Sequence, residues 1–484
     1  MPEFLYRFRS IDRLLGKNEL AEHYIYFASP EQLNDPFEGY RELFFAGDEV
    51  VWRNLFRRYI ACLIFRNYQY LSNLDLDEID FPDVYDSDEF PSALIEPGNK
   101  AISEFLSNGN VKRHIEFLAS AQRKILKEEL TVHLSAIQVY AMKLVADLFA
   151  GVGVKTIESP LTSMSLESSL QFSNEFLSMC EDAGASNEAT GEAANYAAAL
   201  YMSEANMFLV NYKAYKAERA NQNWRTLVHG YVAQFIESLK ELSHRDWYTA
   251  CFMEACSSSA LWGSYGDNHK GVCLKFKASV ESGVSKLPLT MPVGYSIEGS
   301  IWESAFLAFE KVIYESEIQY LDFFRNIGNY PRNKLYKNWY LDEGGRKSIC
   351  SSVIEVEESN WVDVYWKKRQ LSITTKMIDW QGENEFRLIL QNAIPGHKDP
   401  KNRCLKYDFE SLDGLIFGIR TPEIDKYRII QVIEELCDKY RRTDFNIYQA
   451  YHDSVNKKIA YRFLLNVSCD PELSETSREG KQKG

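Results

Sequence analysis

The chain has nine cysteines but no Cys-x-x-Cys pair; its closest two are Cys251 and Cys256. A scattered, odd set of this kind reads as reduced, mostly buried thiols in a cytoplasmic protein, not as a disulfide framework. Its eight histidines never fall into HxH, HExxH or HxxxH, so no zinc site is expected and no metal is assigned. GxSxG, GxxxxGK[ST] and a GxGxxG after a strand are all missing, which removes the serine-hydrolase, P-loop and dinucleotide-fold readings. There is no run of eighteen apolar residues, and MPEFLYRFRS lacks the apolar segment of a signal peptide, so no membrane partner is expected. Basic excess is missing too. A net charge of −14 argues against a general nucleic-acid-binding surface, because phosphate binding needs a local surplus of Lys and Arg.

What is present is a large apolar share, 45%, in 484 residues, too many for one ordinary core. The pattern predicts an α+β fold: a mixed or antiparallel sheet core built from both chain ends, with a large helical insertion. Residues 1–60 form the first part of the α+β domain, 61–245 the mainly helical insertion, 246–440 the second part, and 441–484 a C-terminal extension with a disordered tail. Strands are expected at 4–9, 24–28, 247–254, 271–276, 293–296, 385–390 and 414–418. In the fourth, Val272, Leu274 and Phe276 alternate with Cys273 and Lys275, as in a half-buried strand. Helices are expected near 99–150, 168–245, 301–325, 359–370 and 424–440. Asp75–Glu89 carries eight acidic residues in fifteen and no basic one, and reads as a solvated excursion.

Four ordered segments place polar residues at the edges of strand-like stretches: Leu5–Ser10, Ile25–Glu38, Leu261–Phe276 and Trp380–Leu390. In Glu383-Asn384-Glu385-Phe386-Arg387, period two sets Glu383, Glu385 and Arg387 on one face and Phe386, Leu388 and Leu390 on the other. Such a face is either an exposed strand with a Glu–Arg cross-pair or the catalytic edge of a site. Arg7 and Arg9 share a face of the first strand, with Tyr6 and Phe8 opposite. Their guanidinium forks suit a diphosphate, and equally suit a structural pair with Glu383 or Glu385. Asn34 and Asp35 before Pro36 read as turn chemistry, since with Glu38 they make no closed cation loop. Trp262, Tyr265 and His269 precede Gly271, which opens a strand; a histidine there is more often a capping residue than a catalyst.

Taken together, these segments resemble the bacterial family known as domain of unknown function 2971. That family opens on a YRYRS-like strand, continues through FSSPSEFNDPFD and MWSHYADNHKGVCLEF to W-x-YE-x-E-x-R, and ends near IIFGP. Tyr6–Ser10, Phe27–Glu38, Leu261–Phe276, Trp380–Arg387 and Leu415–Ile419 are the counterparts here. The resemblance covers about half of the chain, at both ends, and departs from the pattern at Gly382 and at Gly263-Ser264. A second, weaker similarity is to ADP-ribosyltransferases of the Arg–Ser–Glu type. It implies NAD as substrate, held by Arg7, supported by Ser29, with Glu385 promoting departure of nicotinamide and Glu383 near the acceptor. Arg9, Trp262, Tyr265, His269 and Arg387 complete the expected nucleotide site.

The resemblances imply an NAD-using ADP-ribosyltransferase or NAD glycohydrolase-like effector, acting in bacterial antiphage defence or as a toxin. Two other classes stay open. One is a sensing or binding module for a nucleotide or phage component, in which the helical insertion recruits a protein partner. The other is a nuclease using Asp35, Glu38, Glu383 and Glu385 with magnesium.

Overall fold

A computed structural model of the chain describes residues 2–35, 37, 42–72, 74–76, 80–84, 89–121, 123–154, 165–184, 227, 230–243, 246–296, 299–317, 320–328, 331–355, 367, 369–391, 397 and 399–469. The fold is α+β. The chain divides into two compact units: 1–40 with 246–318 and 370–484, and 41–245 with 319–369.

The first unit is a mixed, twelve-stranded sheet drawn from both ends of the chain. From edge to edge its strands run Lys458–Val467, Phe445–Asp453, Leu412–Phe417, Val272–Lys277, Phe4–Arg9, Trp247–Met253, Glu385–Gln391, Gly299–Lys311, Val284–Ser296, Cys404–Tyr407 and Tyr24–Tyr26. The short strand Ser279–Glu281 pairs with Val284–Ser296 off this path. Leu412–Phe417 runs parallel to Phe445–Asp453, whereas the central pairs are antiparallel. Just past Tyr26, Ala28 exchanges two N–H···O bonds of 2.8 Å with Thr249, so the far edge of the sheet returns to its middle strand. Six strands thereby close on themselves, which removes one free edge.

Period-two alternation decides which side is core. Tyr248, Ala250 and Phe252 join Phe386, Leu388 and Leu390 in one hydrophobic cluster, with Leu287, Leu289 and Phe309 from the long hairpin. Thr249, Cys251 and Met253, in register with Ile389, Arg387 and Glu385, point to the opposite face. The helix Glu423–Tyr440 adds Ile429, Ile433, Leu436 and Cys437 at helical spacing to the same cluster, and ends where Arg441 turns left-handed at φ 56°.

The second unit is mainly helical. Its core joins the helices Glu49–Leu71, Ile95–Ser107, Lys127–Gly151 and Tyr231–Ser243 to a three-stranded sheet of Tyr320–Asp322, Glu42–Phe45 and Ile125–Leu126. Asp48 starts the first of these helices: its carboxylate accepts from the Val51 N–H, and also from Ser348 Oγ at 2.8 Å and Ile349 N at 2.7 Å. Lys127–Gly151 is long and apolar enough to cross a membrane by length and composition, yet 61% of that window is buried within the protein.

Several expectations change. Residues 301–311, expected as helix, form a strand, because pairing with Val284–Ser296 and Glu385–Gln391 overrides a locally helical pattern. Residues 441–469, expected as an extension, supply two paired strands, and Val284–Ser296 runs far longer than the short strand expected at 293–296. Residues 319–369 group with the helical unit. In the acidic stretch, Leu76 and Val84 are buried in the helical core and Asp83 pairs with Arg58 at 2.5 Å, so this excursion is anchored. The Ala-rich block near 190–200, most of the expected helix at 359–370 and the tail after Cys469 lie outside the described residues.

Leu388 is fully buried between two flanking strands. Leu388→Ala should destabilise the sheet unit by about 2–5 kcal/mol, read as a lower urea midpoint for the transition that reports on this unit. An unchanged midpoint would show that this strand does not carry the core.

Candidate functional site

A fork in the sheet makes the site. Phe4–Arg9 pairs along its whole length with Val272–Lys277 but meets Trp247–Met253 at one position only, Tyr6 opposite Met253. Four residues further along the same edge of Trp247–Met253, Ala28 takes over as the partner of Thr249. Between these two contacts the edge would be unpaired. Arg7 fills the gap: its guanidinium donates to the Cys251 carbonyl and to the Tyr26 carbonyl, both at 3.1 Å, and lies 5.1 Å from the Phe252 ring centroid. The side chain is 4% exposed, and its Nε is buried without a partner among the described residues.

The fork opens into a cleft of about 380 Å³. Its rim carries Arg9, Arg13 and Asp267 with the polar groups of Ser10, Gln32, Asn34 and Ser264. Tyr6, Tyr26 and Tyr265 supply aromatic surface, and Cys251, Lys376 and Glu385 lie at its floor. Arg9 Nε is 2.5 Å from Glu19 Oε1. The exposed Arg13 side chain makes no hydrogen bond or ion pair among the described residues. Gln32 fixes one wall, because its carboxamide oxygen accepts from Tyr26 Oη at 2.9 Å and from Ser29 N at 3.1 Å.

The floor is a buried set of charges. Arg387 Nε donates to Glu385 Oε1 at 2.9 Å, and Lys376 Nζ bridges Glu383 Oε2 at 2.7 Å and Glu385 Oε2 at 3.2 Å. Tyr265 Oη donates to Glu383 Oε1 at 2.6 Å, and Arg387 Nη1 to the Ile373 carbonyl at 2.5 Å. Glu385 is 1% exposed and Arg387 0%. Two carboxylates and two cations thus neutralise one another where solvation is lost, the condition under which buried charge is tolerable. Small strands hold the set: Thr375–Met377 pairs parallel with Ile313–Glu315, and Glu385 N donates to Tyr314 Oη at 2.9 Å. Glu383 belongs to the helical turn Ile378–Glu383, not to the strand, and Asn384, left-handed at φ 43°, leads from that turn into Glu385.

Burial acts on Glu385, Arg387, Lys376 and Tyr265. It raises the Glu385 carboxyl to about 7, with Lys376 and the Cys251 thiol opposing and Glu383 reinforcing the rise. It pulls Arg387 down to about 9, which leaves the guanidinium charged at neutral pH. Burial also opposes the Lys376 ammonium, but Glu385, Tyr265 and Glu383 outweigh it and its pKa rises. The Tyr265 phenol is pushed up by burial, and the carboxylates add to the rise.

Of the residues singled out from sequence, Arg7, Arg9, Tyr265 and Glu385 come together in the cleft, and Glu383 and Arg387 stand directly behind Glu385. Arg7 pairs with backbone carbonyls and not with either carboxylate. Ser29 does not line the cleft; it precedes the helical turn Pro30–Gln32, and the serines that line the cleft are Ser10 and Ser264. Trp262 is fully buried, with its indole N–H on the Cys256 carbonyl at 2.8 Å and its ring edge-on to Phe8. His269 is also outside the cleft. Its ring lies parallel to Trp262, and burial, then Arg420, lowers its pKa.

These two residues shape a turn. Asp267, Asn268 and His269 are three successive left-handed residues at φ 47°, 52° and 69°, a costly run for non-glycines that surrounding bonds must hold. His269 N donates to the Trp262 carbonyl, and the His269 carbonyl accepts from Arg420 N at 3.0 Å. At Gly271 a Cβ would stand 2.4 Å from the Arg9 carbonyl, so only glycine fits. The turn thereby seats Tyr265 over Glu383. Asp35 behaves as a turn residue, accepting from Phe37 N at 2.9 Å, while Glu38 lies outside the described residues. Among the described residues no three His, Cys, Asp or Glu side chains group as metal ligands.

Sequence reasoning missed Lys376, Cys251 and Arg13. For Lys376 a signal existed: it is the sole charge in Ile373-Thr374-Thr375-Lys376-Met377-Ile378, and a lysine within such a run needs a carboxylate partner when buried. For Cys251 the signal is its alternation with Ala250 and Phe252, which places it on the face opposite the core.

Residues 261–388 match the model of a family described as Protein of unknown function (DUF2971), which bears out the first family resemblance over the segments that carry Tyr265, Lys376 and Glu385. No curated protein and no solved structure gives a significant match.

The folded-state pKa of Glu385 lies above its ordinary value, so its contribution to stability is fully present below about pH 4.5 and is lost as pH rises through about 7. Wild type should therefore lose stability relative to Glu385→Gln across that window, measured as urea midpoints on both sides of it. Parallel pH profiles would exclude Glu385 as the titrating group.

Proposed function

We propose that the cleft binds a nucleotide carrying a diphosphate, and that the chain is an NAD-using ADP-ribosyltransferase or NAD glycohydrolase-like effector. The observation that carries this reading is that Arg9 and Arg13 stand on the rim of the same cleft whose floor is Glu385. Guanidinium groups suit diphosphate oxygens, and the tyrosines suit a planar base or nicotinamide. Breaking the glycosidic bond to nicotinamide builds positive charge on the ribose, and a carboxylate already fixed by Lys376 and Arg387 needs no reorganisation to face it. Glu383, held by Tyr265 and Lys376, would then orient the acceptor side. Arg7 keeps the cleft open, and Ser10 takes the place first given to Ser29.

A second reading rests on the same ion pairs. If the Lys376 and Arg387 contacts wholly occupy Glu385, the cleft is a nucleotide-binding or sensing module without turnover. In either case the reading is of an effector of bacterial antiphage defence or a toxin in the cytoplasm, a compartment that suits nine free cysteines, with the helical unit as the surface for a protein partner.

Incubation with NAD separates the two. Wild type should release nicotinamide, at a rate that climbs as pH passes about 7 and Glu385 ionises. Glu385→Gln should lower the rate by about 10²–10³-fold, the usual cost of one preorganised electrostatic group. Saturable NAD binding without nicotinamide release, weakened in Arg9→Ala, would establish the binding module instead. Neither binding nor release would end the nucleotide reading.

A further inference from the structure

The floor of the cleft also holds a nucleophile. Cys251 sits directly across from Arg387 in the register of the two central strands, and its neighbour on the same face, Met253, sits across from Glu385. Its side chain therefore shares a face with both charged residues. Cys251 is part-exposed and lines the cleft with Glu385 and Lys376. Lys376 Nζ is 3.2 Å from Oε2 of Glu385, so a thiol, a carboxylate and an ammonium group follow one another along the floor. The Arg7 Nε, buried and without a described partner, borders the same space.

We infer that Cys251 is a catalytic nucleophile, with Glu385 as its general base and Lys376 as the fixed cation beside the developing oxyanion, for acyl transfer from a small ester or amide. Three parts are needed for addition of a thiol to a carbonyl: the nucleophile, a nearby acceptor for its proton, and charge aimed where the oxyanion forms. In the first half-reaction Sγ bonds to the carbonyl carbon, the thiol proton passes to the Glu385 carboxylate, and the π pair moves onto oxygen. Collapse restores the carbonyl, breaks the C–O or C–N bond, and returns the proton from Glu385 to the leaving alcohol or amine. Water then adds to the thioester with Glu385 again taking a proton, and the products are a carboxylic acid and the free thiol.

The resting state suits this chemistry. Burial first, and then the adjacent Glu385, hold Cys251 well above the ordinary thiol range, so it waits as a neutral thiol. A base raised to about 7 is well matched to accept the proton at neutral pH. Cys404 and Cys469 are equally part-exposed but have no such neighbours at the cleft, which makes them internal controls.

The inference does not depend on the NAD reading. The two share Glu385 and differ in the electrophile, a ribosyl carbon in one and an acyl carbon in the other. The full chain treated with p-nitrophenyl acetate tests it. Expected are a burst of p-nitrophenolate of about one per chain, as an accumulating acyl-enzyme gives, and an acetyl group on the Cys251 peptide by mass spectrometry. Cys251→Ala leaves the four charged residues in place and should abolish the burst. Glu385→Gln, its fold checked by circular dichroism, should slow Cys251 acetylation by about 10²-fold or more and leave Cys404 and Cys469 unchanged. A burst that survives Cys251→Ala, acetylation of Cys251 no faster than that of the two controls, or an unchanged rate in folded Glu385→Gln would each overturn the assignment. Nicotinamide release measured on the same preparations keeps the outcomes apart: release without Cys251 acetylation sinks this inference alone, and acetylation without release sinks the NAD reading alone.

Discussion

The guanidinium of Arg7 lies where the sheet would otherwise fail. Two different segments, Phe4–Arg9 and the bridge at Ala28, compete for one edge of the strand Trp247–Met253, and between them a strand edge must turn from one partner to the other. Buried carbonyls at such a junction need donors, because leaving one unpaired costs about 1–3 kcal/mol. Arg7 supplies two donors to two carbonyls on two segments, so a break in backbone pairing is converted into a held opening. The cleft follows from that opening, and so does the exposure of Cys251 on a strand whose other face is core.

The charged floor depends on this geometry in turn. A carboxylate buried to 1% exposure survives only beside compensating charge, and here the compensation comes from two directions. Arg387 reaches Glu385 along the same strand, at the i+2 position, whereas Lys376 arrives from a small separate sheet. Tyr265 closes the set from the left-handed turn that Gly271 permits. The five residues are therefore positioned by four elements, and the set forms only when all four are in place. Rigidity of this sort is what electrostatic preorganisation requires.

Much of the fold was legible because alternation is a local property. Val272, Leu274 and Phe276, and again Phe386, Leu388 and Leu390, announce one buried face each, and the structure places both sets in one core. The charged face of Glu385 and Arg387 was legible for the same reason. What could not be read was partnership at a distance. Carbonyl oxygens have no sequence signature, so Arg7 carried equal claims as an anion clamp and as a partner of Glu383 or Glu385, and its bonds to Cys251 and Tyr26 were not foreseeable. Lys376 was passed over because nothing within its own segment balances it; its partners lie seven and nine residues away, beyond a helical turn. Residues 301–311 misled because Trp302, Phe306 and Phe309 also suit a helical spacing, and only the neighbouring strands decide otherwise. Trp262, His269 and Gly271 mark a conformational need, not a chemical one: their pattern specifies the turn, and the turn presents Tyr265.

The strand order of the sheet also sets an order of events during synthesis. Phe4–Arg9 leaves the ribosome more than two hundred residues ahead of its two neighbours in the sheet, which begin at Trp247 and Val272, and the next strand out begins at Glu385. Pairings this remote are entropically slow to form, and until they do the strand presents an apolar, unpaired edge. The helices of residues 49–151 are made of local contacts and are complete long before those partners exist. The chain must therefore carry Phe4–Arg9 as an unprotected segment until Trp247–Met253 and Val272–Lys277 have been made, a stretch of synthesis during which a chaperone has an edge to shield.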